Sequence, residues 1–339
     1  MSKLPVLRKF LSSLLVLVCF GFAHSASAVT LKIATLSPEG IGWMKVLREH
    51  AAIIETRTNG EVKFKFYPGG VMGDDKTVLR KMRLGQLHGA VLTSGGLVQN
   101  YKDISIYSMP MLFRSEEEID FVRKSMDAEL MTNLRKNKFV GFGFAEVGFA
   151  YPMMQSSATA VEQLRSRKVW VPDNDPASLQ AYQAFNISPI PLPIADVLAG
   201  LQTGLIDSIA SPPIGAIALQ WHTQVEHAID LPLLYVYGLF AMAERPFNRL
   251  SPEHQKIVEE ELSAVVRKAD ATARKDHMSA KAVLTSQGIQ WSQPDETEMN
   301  EWQTLADAAN QRMVDTGYIS QEAYQRVLSL LADYRAGNR

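Results

Sequence analysis

Leu164–Pro213 reads LRSRKVWVPDNDPASLQAYQAFNISPIPLPIADVLAGLQTGLIDSIASPP, and this stretch decides the fold class. An apolar strand over Lys168–Val171 stops at Pro172. A helix is expected from Pro176, capped by Asp175, whose carboxylate can accept a free N–H of the first turn. A second strand, Ile187–Leu192, is interrupted by prolines. A second helix, Ile194–Gly204, then feeds a third strand, Ile206–Ala210, which ends in Ser211-Pro212-Pro213. Strands alternating with helices imply an α/β fold with a parallel sheet, and ligands of such sheets lie at the carboxyl ends of the strands. Trp170 and Ser211 stand at two such ends.

Upstream, the same grammar repeats. Val29–Leu36 is a strand closed by Ser37-Pro38-Glu39-Gly40. Trp43–Thr58 has the apolar period of a helix, with Val46, Leu47, Ile53 and Ile54 on one face. Val62–Tyr67 alternates as a half-buried strand and closes at Pro68-Gly69-Gly70. Asp74 or Asp75 caps a helix ending at Gly85, and Ala90–Leu92 is a buried strand before Thr93-Ser94-Gly95-Gly96. Leu79–Leu92 (LRKMRLGQLHGAVL) is echoed by Leu198–Ser211 (LAGLQTGLIDSIAS), each with a helix-stopping glycine and then a strand. The echo suggests two similar lobes. Downstream, Ser251-Pro252-Glu253 is a strong helix start, with no Pro or Gly until Gly288. Such a helix exceeds the width of one lobe and is expected to cross both. A short strand over Gly288–Trp291 and helices after Pro294 and Ser320 complete the chain.

The 339 residues are 46% hydrophobic and 21% charged, enough for two domains, with a net charge of -1. No basic surplus exists to neutralise phosphates, so nucleic acid is not an expected partner. Lys3, Arg8 and Lys9, the apolar run Phe10–Phe22 and the small residues Ala26-Ser27-Ala28 have the form of a Sec-type signal peptide over residues 1–28, cleaved after Ala28 for export to the periplasm. The one cysteine, Cys19, lies inside that run, and Val18 before it does not suit lipoprotein processing. The chain from Val29 therefore has no thiol for disulfides or metal ligation.

Chemistry-bearing motifs are missing. There is no G-x-S-x-G elbow, phosphate loop or H-E-x-x-H pair, and His222 and His227 are five apart, a poor fit to one helical face. Gly141-Phe142-Gly143 lacks the third glycine of a dinucleotide fingerprint. Asp74-Asp75 reads as a helix cap plus a first-turn acid. No catalytic residues, metal or cofactor are expected; the best acid/base set, Glu146 with Ser211 or His88, is poor. These features favour binding over catalysis, with a periplasmic enzyme as the remote alternative.

Several segments together carry a resemblance: Tyr67–Asp74 (YPGGVMGD), Met82–Ala90 (MRLGQLHGA), Ser108–Arg114 (SMPMLFR), Leu164–Pro172, Leu201–Asp207 (LQTGLID) and the helix after Leu250-Ser251-Pro252-Glu253. In this order and spacing the chain resembles the DctP-type solute-binding proteins of TRAP (tripartite ATP-independent periplasmic) transporters. The resemblance implies a two-lobed periplasmic binding protein fold, each lobe a mixed, mainly parallel sheet flanked by helices, with a long lobe-spanning C-terminal helix. Lobe I would comprise residues 29–148 with about 239–270. Lobe II would comprise 149–238 with about 271–339, including the C-terminal helices. The lobes would close over a small organic ligand and deliver it to a small and a large integral-membrane subunit, driven by an ion gradient. A signalling receptor as the recipient is the alternative, and the C-terminal helices could support a homodimer.

The resemblance also marks a departure. Where most of the family carries a carboxylate-pairing arginine, this chain has Trp170, and a second arginine is missing from Gly148–Tyr151. An indole offers one N–H where a guanidinium offers a fork of donors. Arg167 lies on the opposite strand face; Lys168, one pleat back, is the nearest replacement. The other positions that map onto the cleft are Leu36, Trp43, Phe149, Tyr151, Ile194, Ser211, Pro213, Tyr235 and Tyr237, with Glu146 facing it. The expected ligand is an apolar or aromatic organic molecule, or a monocarboxylate held without a guanidinium clamp.

Overall fold

The computed structural model describes residues 28–337 apart from Asn174. The signal-peptide reading, but for Ala28, lies outside the described residues. Lobe I opens with β1 (Val29–Thr35), α1 (Gly42–Arg57), β2 (Val62–Tyr67), α2 (Asp75–Arg83) and β3 (Gly89–Thr93), close to the sequence reading. Asp74 caps α2 by accepting the N–H of Thr77 at 2.8 Å, a contact worth about 1 kcal/mol. Next come a 3-10 turn (Lys102–Ser108), α3 (Glu116–Lys136) and the 16-residue strand β4 (Phe139–Met154).

Lobe II follows with α4 (Val161–Arg165), β5 (Trp170–Pro172), α5 (Pro176–Ala184), β6 (Ile190–Leu192), α6 (Val197–Gln202), β7 (Ser208–Ser211), α7 (Pro213–Ala218) and β8 (His227–Ile229). The chain returns along β9 (Leu234–Ala243), turns through α8 (Glu244–Phe247) and enters α9 (Pro252–Ser286). β10 (Gln290–Ser292), α10 (Glu296–Asp315) and α11 (Gln321–Arg335) end it. The expected third strand of the opening stretch starts two residues late, and Ile194–Asp196 is a 3-10 turn ahead of α6. The echoed glycines, Gly85 and Gly204, take φ of +71° and +69°.

One path of strands runs β10-β8-β4-β9-β3-β1-β2, with β7 also paired to β4. β1 is parallel to β2 and β3; β9 is antiparallel to both β3 and β4. In lobe II, β5 is parallel to β6, and a parallel bridge from Val169 to Ser208 joins it to β7. The parallel β6-β5-β7 unit read from Leu164–Pro213 is therefore present.

β4 belongs to both lobes. Its first part pairs with β9 inside lobe I; Tyr151–Met154 pair with β7, and Met153 and Met154 with β8, in lobe II. Two register shifts, at Gly141/Phe144 and Glu146/Gly148, bend it between. The 35 residues of α9 extend about 52 Å at 1.5 Å per residue. Ser251 Oγ caps it by accepting the N–H of His254 at 3.2 Å. Its first half packs Val258, Leu262 and Val265 against β1, β4 and α1, forming the core on one face of lobe I. Its second half brings His277 and Leu284 over lobe II. A second core runs through both lobes and includes Phe144, Tyr151, Trp170 and Tyr235. A third packs α10 through Trp302 and Ala306 onto lobe II. Among the described residues, no helix is long and apolar enough to cross a membrane.

Candidate functional site

The lobes meet along the carboxyl ends of their parallel strands. On the lobe I side, Leu36 follows β1 and touches the turn after β2: its Cδ2 is 3.3 Å from where a Cβ on Gly70 would stand. Gly95, in the loop after β3, lies against Asp175 of lobe II; a Cβ there would be 2.8 Å from Asp175 Cγ. A side chain at 95 would therefore press on the Asp175 side chain. Asp175 also caps α5, accepting Ser178 N–H at 3.2 Å and Ser178 Oγ–H at 2.5 Å. Asp173 is raised above the usual carboxylate range by burial and by Asp74 across the cleft, with Lys76 acting against the shift. The structure is thus a closed arrangement with carboxylates of both lobes facing one another.

Asp75 is the first-turn acid of α2, as read, and it does more than that. It is 2% exposed, and its Oδ2 accepts the N–H and the Oγ–H of Thr93 at 3.0 and 2.6 Å. Burial pushes its carboxyl up to about 6, against those two hydrogen bonds. It ties α2 to the end of β3.

On the lobe II side, Trp170 is 5% exposed. Its Nε1–H donates to Leu192 O at 3.0 Å, and its ring meets Trp221 edge-on at 5.1 Å. The indole is a packed element of the β5–β6 corner whose only polar group is satisfied within the lobe. Ser211, also buried, donates to Pro212 O at 3.0 Å and pairs with Tyr151 across β4–β7. Pro213 is buried at the first position of α7. Ile194 is half-buried against the same core. Lys168 is exposed, and its Nζ donates to Gly204 O at 2.7 Å beyond the end of α6. Arg167 points to Ser156 Oγ and Ser157 O. Trp43 packs at the edge of the lobe I core, with Leu31 and Met44, apart from the lobe II residues.

The structure brings four of the aromatic positions together where the chain crosses between lobes. Phe149 meets Tyr235 at 5.7 Å, and Tyr235 stacks on Tyr237 at 5.9 Å. Tyr237 OH donates to Ile104 O. Tyr151 stacks on His277 at 6.0 Å and meets Trp291 edge-on at 5.3 Å, with Lys281 Nζ 4.5 Å from the Trp291 ring. Burial raises the Tyr151 hydroxyl to about 12 and, with Lys281 nearby, lowers His277 to about 4.

Glu146 stands in the same crossing, and its surroundings were not legible in the sequence. Its N–H donates to Asp270 Oδ1 at 2.9 Å, and its Oε2 lies 3.7 Å from Arg274 Nη2. Its Oε1 is buried and has no hydrogen-bond partner among the described residues. Burial pushes its carboxyl up to about 7; Arg274 and the Tyr235 hydroxyl act against the shift, and Glu116 and Asp270 add to it. Arg274 is held by Glu116 at 3.1 Å and Asp120 at 2.6 Å. Arg123 of α3 is buried beside it. That guanidinium donates to Asp127 Oδ2 (3.2 Å), Asp270 Oδ1 (3.2 Å), Phe144 O (2.9 Å) and, at 3.5 Å, Tyr235 OH. Tyr107 OH donates to the other Asp127 oxygen at 2.7 Å. Both guanidiniums that reach this interior are thus engaged with carboxylates. Among the described residues no group of His, Cys, Asp and Glu could hold a metal ion.

A small opening lies next to the crossing, between Ser108 and Pro110, Ser178 and Tyr182 of α5, and Met313 of α10. Ser108 Oγ there bonds Ser94 Oγ at 3.0 Å and Tyr235 O at 2.8 Å.

A family model described as bacterial extracellular solute-binding protein, family 7 (DctP), matches residues 33–316. The chain belongs to this family. Among family 7 relatives, the 2,3-diketo-L-gulonate-binding periplasmic protein YiaO of Escherichia coli is 25% identical over 216 residues, 60% of this chain and 62% of YiaO. The chain thus spans less than two thirds of that relative's length. The sialic acid-binding periplasmic protein SiaP of Vibrio cholerae is 19% identical over 274 residues, 79% of this chain and 84% of SiaP. Among solved structures, a TRAP periplasmic solute binding protein from Haemophilus influenzae with bound L-gulonate superposes with a TM-score of 0.82 at 18% identity, covering 89% of this chain and 99% of that one. A TRAP protein from Desulfovibrio salexigens with bound orotic acid gives a TM-score of 0.79 at 17% identity, covering 91% and 99%. These likenesses show the two-lobed fold.

Proposed function

We propose that this chain is the periplasmic solute receptor of a TRAP-type secondary transporter. It captures a small organic solute between its lobes and delivers it to a small and a large integral-membrane subunit. Family membership, the closed two-lobed form and the hinge-like crossing of β4, β9 and α9 support this reading.

The relatives' named ligands, including gulonate, sialic acid and orotic acid, are acids. The observation that carries the ligand assignment is the state of this chain's cations. Trp170 stands where the family resemblance expects a carboxylate-pairing arginine. Arg123 and Arg274 are each committed to carboxylates of the protein, and Lys168 to the Gly204 carbonyl. A ligand carboxylate buried there would lack a guanidinium partner, at a cost of several kcal/mol. We therefore assign the ligand as an aromatic or apolar organic solute, any carboxylate on it being held by hydroxyls and backbone N–H groups. The candidate hydroxyl donor is Ser94, whose oxygen meets Ser108 Oγ. Mass spectrometry of the solute that co-purifies with the protein tests the assignment. An aromatic or apolar compound supports it; a hexuronate or a C4-dicarboxylate contradicts it.

A further inference from the structure

The carboxyl of Glu146 is buried at the one place where all lobe-crossing elements meet. The bulge at Glu146/Gly148 lies just before Tyr151, where β4 passes from β9 to β7. Gly148 there takes φ of +109° and lies against His277, with room for no Cβ: one would stand 2.6 Å from His277 Nδ1. The groups facing Glu146 come from every neighbouring element. They are Glu116 of α3, Tyr235 of β9, and Asp270 and Arg274 of α9, with His277 one turn further along α9. Arg123, Asp127 and Asp120 of α3 close the network behind them. Five carboxylates (Glu116, Asp120, Asp127, Glu146, Asp270) thus share two guanidiniums. Those guanidiniums are nearest the other four: Arg274 lies 2.6–3.1 Å from its α3 partners but 3.7 Å from Glu146. Three carboxylates are in excess, and of the five Glu146 is the one with a bare buried oxygen.

We propose that Glu146 is a proton-linked hinge: closing the lobes buries its carboxyl and takes up a proton, and ionisation of Glu146 favours the open form. This rests on the reading above that the lobes open and close over a solute. Unbending β4 at the bulge would let water reach Glu146 and draw its carboxyl back towards ordinary carboxylate behaviour. The closed form holds the proton until about neutrality. Closure is therefore most favoured in acid and loses ground as the pH rises towards neutral. A solute bound only by the closed form would be held more weakly on the alkaline side.

The test follows lobe separation without any solute. The only cysteine of the chain is Cys19, in the expected leader, so spin labels can be placed uniquely in the chain from Val29. Leu84→Cys and Leu205→Cys put them on exposed residues, 67% and 49% accessible, one in each lobe. Both follow helices that lead into strands, at the ends of the lobes away from the cleft. Double electron–electron resonance then gives the closed and open fractions across pH. We expect the closed-to-open ratio of the wild type to fall roughly 50-fold between about pH 5 and about pH 8. In Glu146→Gln it should stay closed and flat. Glu146→Leu, equally uncharged, serves as a second variant if Gln disturbs folding as judged by near-ultraviolet circular dichroism. A wild-type ratio that does not change with pH overturns the proposal. So does a folded uncharged variant that keeps the wild-type response, because another group would then be responsible. No solute enters the measurement, so its failure leaves the receptor assignment standing, and an unexpected solute leaves the hinge standing.

Discussion

The β5–β6 corner around Trp170 and the crossing around Glu146 are both buried, yet they are built on opposite principles. At the corner, one large ring is packed against Trp221, and its single N–H has found Leu192 O. Nothing there is left over. At the crossing, five carboxylates share two guanidiniums, from the exposed Asp120 to the buried Glu146, and one carboxylate oxygen has no partner among the described residues. An apolar corner with satisfied polar groups stabilises one arrangement. A charged network with a surplus acid responds to its surroundings, and it lies where the lobes must bend.

The largest expected effect breaks the crossing. Arg123→Leu takes a buried guanidinium away from the half-buried Asp127 and Asp270 and from the Phe144 carbonyl, and should cost about 4 kcal/mol in urea unfolding. A loss below 1 kcal/mol would mean that the network contributes little and that the contrast with the corner is empty.

Trp170→Ala comes next. Its cavity should lower stability by about 3 kcal/mol, read in the same unfolding assay. If stability holds and only solute affinity drops, the indole belongs to the ligand surface and not to the corner.

Glu146→Gln sharpens the comparison through pH. The folded-state carboxyl is raised from its ordinary 4.5 to about 7. Its stabilising effect is therefore complete below the ordinary value and is lost as pH rises through about 7. Wild-type stability should fall by about 2 kcal/mol over that window relative to the variant, measured by melts at a series of pH values. Parallel curves for the two proteins would contradict the assignment. Smallest is Tyr107→Phe, which removes the hydroxyl from Asp127 and should cost about 1.5 kcal/mol.

The corner was legible in the sequence and the crossing was not. Lys168–Pro213 announces itself through prolines, a capping aspartate and a helix-ending glycine, all local signals, and the parallel β6-β5-β7 unit followed. Ser251-Pro252 announced α9 in the same way. β4 gave no such signal. Its sequence FVGFGFAEVGFAYPMM has two bulges that shift the inward face twice, so no single alternation survives. The partners of Glu146 lie far away in sequence: Asp270 and Arg274 are more than 120 residues downstream. Lys168 looked like a substitute cation from its strand position, but the carbonyl of Gly204, 36 residues on, holds it. Trp170 was read as the residue in place of a clamp; the hydrogen bond that occupies its N–H depends on β6, which no spacing within β5 could reveal.

A solute receptor whose interior offers no spare guanidinium should discriminate by solute chemistry. A thermal-shift panel tests it most directly, because a solute bound only by the folded protein raises its melting temperature. Clear rises are expected with aromatic or apolar organic compounds and none with C4-dicarboxylates or hexuronates. Strong rises with those acids, and none with the aromatic set, would contradict it.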